Sequence, residues 1–291
     1  MRIVLFGKNG QVGWELNRVL PLLGEVIAVD YQDFDIGDLK ILQDKLIELK
    51  PDIIVNASAY TAVDKAETEQ DAAEKVNNLA PGVMAEASRG LGALLIHYST
   101  DYVFDGEKGS PYTEADAPNP LSVYGKSKLA GERAIEQAGG IYLILRTAWV
   151  YSLHGDSYVR KVLRWARTNP TLKVVSDQIS NPTWARSLAE MTGLLLAQAG
   201  AEYTEYFRQK RGIYHLAGGG YTSRFAWAQE ILELDPKPDE HIIQSVQPAA
   251  TSDFPTPAQR PLFSALDCAR FKSTFSLSLP GWQQSLQLAM E

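Results

Sequence analysis

The sequence predicts an α/β fold, a doubly wound parallel sheet followed by a smaller C-terminal lobe. Three observations lead there. Short apolar runs recur through the first half, helix-like segments separate them, and a spaced glycine triplet stands between the first run and the first helix. The runs are "RIVLFG" (2–7), "EVIAVD" (25–30), "DIIVNAS" (52–58), "ALLIHYS" (93–99) and "IYLILRT" (141–147). Their near-continuous β-branched and aliphatic character suits strands covered on both faces. Between them lie "QVGWELNRVLPLL", "LKILQDKLIELK", "AETEQDAAEKVNNLAPGVMAEASRG" and "SVYGKSKLAGERAIEQ", so each strand returns through a right-handed helical crossover. The rhythm loosens after about residue 150. "LKVVSDQ" (172–178) and "GIYHLAG" (212–218) read as further strands, with a helix at "WARSLAEMTGLLLAQ" between them. Beyond residue 233 proline is frequent and loops are expected.

Composition narrows the function classes. The 291 residues suffice for one large or two ordinary domains with a real core. A net charge of −7 argues against a general nucleic-acid or anionic-membrane surface, while leaving room for a local basic pocket. The single cysteine, Cys268, excludes an internal disulfide and fits a reducing cytoplasm. No apolar stretch reaches membrane-spanning length, and a soluble cytoplasmic protein is expected. The four histidines, His97, His154, His215 and His241, are dispersed without metal-ligand spacing. His97, inside a strand, reads as a satisfied core residue.

Gly7, Gly10 and Gly13 in "FGKNGQVG" follow the first strand and open the first helix. Glycines there permit a tight turn, close backbone approach to a pyrophosphate and close helix–sheet packing. The helix start adds free N–H groups and a positive dipole end. Asp30 closes the second strand, placed to accept hydrogen bonds from an adenosine ribose. A dinucleotide is the expected ligand, bound by a domain over 1–150 that parts of 172–218 rejoin, with 151–291 mainly a substrate lobe. Asp30 would repel a 2′-phosphate and so favour NADH, whereas Lys8 would neutralise one and favour NADPH; the two arguments oppose each other. Asp35 and Ile36, in "FDIGD", lie where the next loop flanks an adenine, although Asp35 reads equally well as a loop charge without a ligand.

Tyr124 and Lys128 stand four apart in "VYGKSKLAGE", on one face of a helix. An ammonium there favours a phenolate, and a phenol lowered toward working pH can deliver a proton to a carbonyl oxygen. Spacing alone is weak, because Tyr206 and Lys210 in "YFRQK" share it from a polar stretch read as surface. Context separates the pairs: "STDYVF" (99–104) puts Ser99 and Thr100 at the carboxyl end of the fourth strand, where ligands bind in open parallel sheets. Their hydroxyls can hold a substrate oxygen, or simply cap a turn.

The segments "LFGKNGQVGWEL" (5–16), "PDIIVNASAYTAVDKAE" (51–67), "HYSTDYVFDG" (97–106), "PLSVYGKSKLAGE" (120–132), "LRTAWVY" (145–151), "SDQISNPTW" (176–184) and "PAQRPLFSALD" (257–267) together resemble the extended short-chain dehydrogenase/reductase family, and within it the branch that reduces dTDP-linked keto-sugars. The resemblance implies a Rossmann-type domain, NADPH or NADH as cofactor, a dTDP-keto-sugar substrate and a monomer or homodimer. It implies Thr100, Tyr124 and Lys128 as the catalytic trio. Gly7, Gly10, Gln11, Val12, Asp30, Asp35, Ile36, Ala57, Ala59 and Ser99 would line the cofactor with Tyr124 and Lys128. Val63, Tyr102, Trp149, Gln178 and Arg260 would face the substrate with Thr100 and Tyr124. Trp149 is suited to stack on a sugar and Arg260 to meet a diphosphate, though strand-end packing and a solvated loop charge are the plainer readings of each.

One departure from the family stands out. Some members bind magnesium between subunits through an acid at the Glu15 position and a second acid where this chain has Arg186. Arginine cannot ligate a cation; a Glu15–Arg186 salt bridge, or no contact, is expected instead of metal. Two other readings of the chain compete with this one. A dehydratase or epimerase of the same fold would need a further acid, and Asp101-Tyr102 stands where related dehydratases place Asp-Glu. A non-catalytic, cofactor-bound regulatory subunit would not need the full hydroxyl–Tyr–Lys set.

Overall fold

The computed structural model describes residues 1–291. Strands β1 (Arg2–Phe6), β2 (Glu25–Val29), β3 (Ile53–Asn56), β4 (Leu94–Thr100) and β5 (Ile141–Thr147) match the five apolar runs to within two residues at each end. With an edge strand, Gly212–His215, they form one parallel sheet in the order edge strand, β5, β4, β3, β1, β2. The winding reverses beside β1, so a crevice opens at the carboxyl ends of β1 and β3.

Successive side chains point to opposite faces, and the sheet is covered on both. Ile3, Leu5, Val55, Ile96 and Leu145 face helices Gln11–Val19 and Ala185–Ala199 through Leu16, Leu188 and Leu195. Val4, Phe6, Ile54, Leu95 and Ile144 face helices Leu39–Leu49, Ala80–Leu91 and Val123–Ala138 through Leu42, Leu46, Met84 and Ile135. The second lobe has its own core around Tyr151, Val159, Leu172, Trp227, Ile231 and Leu286.

Three segments differ from the sequence expectation. The long helix expected over 66–90 is broken into Val63–Ala66 and Gln70–Glu74, then a π-helical turn Lys75–Leu79, before Ala80–Leu91. The π turn lets Asn77 reach sideways: its Oδ1 accepts the Tyr60 N–H at 2.8 Å and its Nδ2 donates to Ser127 Oγ at 3.0 Å, tying this segment to the helix that carries Tyr124. Thr171–Val175 does not join the main sheet. It pairs with Ser245–Ala249 in a two-stranded parallel ribbon, where Pro248 is tolerated because no third strand needs its missing N–H. Residues beyond 233 also hold helices Ala269–Phe275 and Trp282–Met290, whose buried Phe271, Phe275, Trp282 and Leu286 close over the two cores. No helix is long and apolar enough to cross a membrane.

Helix Val123–Ala138 starts at Ser122, whose hydroxyl accepts the Gly125 N–H, and is anchored to the sheet by buried charge. Arg146 of β5 donates through Nε (2.9 Å) and Nη2 (2.6 Å) to both oxygens of Glu132, and Ser99 of β4 donates to the same carboxylate at 2.5 Å. Removing one partner of a buried pair strands the other charge, at about 3–5 kcal/mol. Glu132→Gln should therefore lower stability by about that amount in urea unfolding, and an unchanged midpoint would show that the clamp contributes little.

Candidate active site

The glycine turn has the shape of a ligand cradle. Gly7 has φ +86°, and a Cβ there would lie 2.8 Å from Ala57 O and Ser58 N. A Cβ on Gly13 would overlap Gly7 O, so the third glycine lets the helix close onto the turn. Beside the turn lies a cavity of about 600 Å³, whose lining includes Gly7, Asp30, Asp35, Ile36 and Ala59. Gly10, Gln11 and Val12 open the helix at the same sheet edge, and the buried Gln11 Oε1 has no partner within the protein. A dinucleotide fits these features: close backbone approach at Gly7, a helix start, an unpaired buried acceptor and a cavity of suitable size.

The charges that opposed each other in the sequence are both engaged. Asp30 accepts the N–H groups of Asn9 (2.9 Å) and Tyr31 (2.7 Å). Lys8 donates to Asp33 at 2.6 Å and to Ala28 O at 3.2 Å, and this partner holds the Asp33 carboxyl below its usual value.

Thr100 ends β4, and its Oγ1 accepts the Tyr102 N–H at 3.1 Å, turning the chain into a short 3-10 segment over Asp101–Val103. Tyr124, in the first turn of helix Val123–Ala138, packs edge-on against Tyr102 with ring centroids 5.8 Å apart. Its phenol lies in a desolvated cleft. Burial raises its pKa above the ordinary tyrosine value, the Thr100 hydroxyl pulls the other way, and Asp101 and Tyr102 push it up further.

This corrects the expectation of a phenol lowered by Lys128. The lysine shares the helix face, but its Nζ turns into the sheet, donating to Tyr98 O at 2.7 Å and lying 3.1 Å from His97 Nε2. Lys128 is 1% exposed, and burial brings its pKa down to about 8 against the opposing pull of Glu132. At the other pair of equal spacing, Lys210 Nζ sits over the Tyr206 ring, 4.2 Å from its centroid. Helical spacing sets proximity, and the surroundings decide where the ammonium points.

Ser99 lies at the same strand end, with its hydroxyl committed to Glu132 inside the domain. Val63 opens a short helix at which Asp64 receives Arg260 Nη2 at 2.7 Å. Gln178 donates to Thr251 Oγ1 at 3.1 Å, and its carbonyl accepts the Arg224 N–H. Trp149 holds a left-handed backbone, φ +38°, which a bulky residue adopts only under surrounding constraint. Its ring carries the Arg224 guanidinium, 3.6 Å from the ring centroid.

Arg224 and Asp101 are the residues that sequence reasoning missed. Arg224 lies against Trp149, Tyr158 and Trp227, and its charge is felt by Asp101 and Tyr102. The charge of Arg260 is felt by Tyr102 too, so two guanidiniums act on one phenol beside Tyr124. No local motif marks Arg224; the second lobe brings it to the cleft. Asp101 is 2% exposed and accepts from Thr100 (3.2 Å) and from Ser180 (3.1 Å) and Ser264, the two serines gathering the second lobe onto the end of β4.

The Glu15–Arg186 bridge is not formed. Arg186 donates to Glu190, one turn along its own helix, at 2.8 Å, and Glu15 lines the same cavity of about 610 Å³ between helices Gln11–Val19 and Ala185–Ala199. The four histidines are separate: His154 stacks on Trp14, His215 is buried and held down near 3 by desolvation and Arg146, and His241 pairs with Asp235. Burial pushes the Cys268 thiol up to about 12, which leaves it a poor nucleophile at neutral pH.

Burial raises Asp101 to about 6 despite its three hydroxyl donors. A carboxyl raised on folding favours the native state most below its unfolded value near 3.8, and that contribution disappears as pH climbs through 6. Asp101→Asn, which cannot titrate, should flatten the pH dependence of urea unfolding between about pH 4 and 7 by roughly 2–3 kcal/mol. Identical profiles for both proteins would mean that Asp101 titrates normally.

A family model described as the RmlD substrate binding domain matches residues 1–291. The chain is similar to the dTDP-4-dehydrorhamnose reductase of Burkholderia thailandensis, 42% identical over 293 residues covering 100% of this chain and 98% of that one. It is likewise similar to that of Escherichia coli K12, 41% identical over 97% of this chain and 95% of the relative. Among solved structures, a dTDP-4-dehydrorhamnose reductase from Clostridium acetobutylicum superposes with a TM-score of 0.90 at 35% identity, covering 100% and 98% of the two chains. One from Bacillus anthracis, in complex with NADP, superposes with a TM-score of 0.89 at 31% identity over 99% and 98%. With a full-length match and relatives of this identity, the chain belongs to the dTDP-4-dehydrorhamnose reductase family.

Proposed function

We propose that the chain reduces the 4-keto group of dTDP-4-dehydro-L-rhamnose to give dTDP-L-rhamnose, with NADPH or NADH as reductant and Tyr124 as proton donor. One observation carries this reading. The Tyr124 phenol feels the Thr100 hydroxyl at the carboxyl end of β4, two strands from the Gly7 turn on the same sheet edge, while the adjoining Tyr102 feels the charges of Arg224 and Arg260. On this reading an acid, a dinucleotide cradle and cations suited to a nucleotide diphosphate serve one reaction at that edge.

The raised phenol fits the role of acid. A phenol above its ordinary pKa stays protonated at working pH and still gives its proton readily to a developing alkoxide, which is more basic. The bound nicotinamide would supply hydride to the carbonyl carbon. Thr100 would favour the phenolate left after transfer by turning its single O–H from Asp101 to that oxygen. The aromatic walls around Arg224 keep its guanidinium fixed and uncancelled for an anion, while Arg260 is held by Asp64.

Oxidation of NADPH or NADH with dTDP-4-dehydro-L-rhamnose tests the assignment. Tyr124→Phe should lower kcat by about 10²–10⁴-fold while the fold is retained, and a wild-type rate in that variant removes Tyr124 as the acid. Arg224→Ala should raise KM by about ten- to a hundredfold with a smaller effect on kcat, the loss expected of one charge-assisted contact. An unchanged KM would place the diphosphate elsewhere.

A further inference from the structure

The hydrogen bonds around Lys128 have a direction that begins at Ser58. Ser58 donates its backbone N–H (3.1 Å) and its hydroxyl (2.6 Å) to Asn56 Oδ1. Oδ1 is therefore the acceptor end of that amide, and Nδ2 is turned toward His97 Nδ1, 3.0 Å away. An amide NH₂ only donates, so His97 Nδ1 accepts, and a neutral imidazole accepting there keeps its own proton on Nε2. Nε2 faces Lys128 Nζ at 3.1 Å, while Nζ donates to Tyr98 O. An ammonium has no lone pair to receive the imidazole N–H; an amine has one. Asn56 and His97 are both 0% exposed, so no solvent route relieves the surplus donor.

We propose that Asn56 and His97 form a buried tautomer lock, which presents an N–H to Lys128 and keeps it exchanging between amine and ammonium instead of standing as a fixed cation. His97 and Asn56 are positioning residues on this account. The proposal rests on the reading of Tyr124 as the proton donor, with Lys128 one turn along the same helix. The groups facing Lys128 are few. Tyr124 and Glu132 lie one turn away on its own helix, and Arg146 from β5 neutralises Glu132. β4 supplies His97 and the Tyr98 carbonyl, and the π turn packed on the same helix supplies the neutral Asn77 amide, bonded to Ser127. The titration directions agree. Burial and the Lys128 charge hold His97 well below its ordinary range, and burial brings Lys128 to about 8.

The test inverts the lock. In Asn56→Asp the carboxylate only accepts, so it takes Nδ1–H from the imidazole and leaves the Nε2 lone pair to an ammonium. His97→Gln, a second variant should the first fail to fold, can turn its amide oxygen to Lys128. Both variants and the wild type are labelled with ¹⁵N-histidine and ¹³Cε-lysine and followed by NMR from pH 6 to 10, without cofactor or substrate. The wild type should show His97 protonated at Nε2 and a Lys128 midpoint near 8. Asn56→Asp should show Nδ1–H, and in both variants the lysine midpoint should rise by about one unit or more. An Nδ1–H tautomer in the wild type, or one lysine midpoint shared by all three proteins, overturns the proposal. Because no turnover is involved, a wild type that shows the Nε2–H tautomer and the expected midpoint shifts supports the lock even if it fails to reduce the sugar nucleotide.

Discussion

The site depends on one buried ion pair. Glu132 and Arg146, 1% and 3% exposed at their side chains, join the helix that carries Tyr124 and Lys128 to β5, and Ser99 brings β4 into the same contact. Two charges at that depth are costly to desolvate, and satisfying both carboxylate oxygens with directed N–H donors offsets the cost only in one geometry. The pair thus acts chiefly as a registration device. It sets which residues of the helix stand over the end of β4, and Tyr124 meets Thr100 there as a result. Asn77, reaching across from the π turn to Ser127, holds the same helix from its other side. Neither contact touches the reacting groups, yet both decide where those groups are.

Desolvation then sorts the titratable groups. The same burial that raises the Tyr124 phenol lowers Lys128 and His97, because each loses hydration of its charged form. A phenol that stays protonated and a lysine brought to about 8 both arise here from burial, without a short Tyr–Lys contact. Asp101 adds a negative group one residue from Thr100. It works against the phenolate, while Thr100 favours it, so the Tyr124 phenol is balanced between two neighbours on consecutive positions of the chain.

Features encoded locally were legible in the sequence. The five strands appear as apolar runs because a strand buried on both faces has no polar side to interrupt it. Gly7 and Gly13 are demanded by backbone contacts within a few residues or across one neighbouring strand, and such demands write glycine into the sequence directly. Tyr124 and Lys128 could be placed on one helix face by spacing. The direction of the ammonium could not, since it follows from His97 and the Tyr98 carbonyl on a strand about thirty residues earlier. Arg224, Asp101 and the serines that hold it were illegible for the same reason. Ser180, Ser264 and Arg224 come from three separate segments of the second lobe, and nothing in their own neighbourhoods signals that they converge. The expected loops beyond residue 233 contain helices because Phe271, Phe275, Trp282 and Leu286 bury against cores made elsewhere, which outweighs the local turn signals.

The second lobe resolves an apparent conflict of charge. The chain carries −7 overall, which repels a nucleotide diphosphate at long range. Within a Debye length of the cleft the balance differs, because Arg224 and Arg260 both act on Tyr102 and only Arg260 has a salt-bridged carboxylate of its own. Arg224 is instead held by aromatic faces, which stabilise a guanidinium without neutralising it. An ion pair would have fixed the side chain equally well but would have cancelled the charge an anion must find. Trp149, whose ring carries the guanidinium, holds a left-handed backbone at φ +38° in this arrangement. The aromatic cage is therefore the means by which an acidic protein keeps one cation available in a buried cleft.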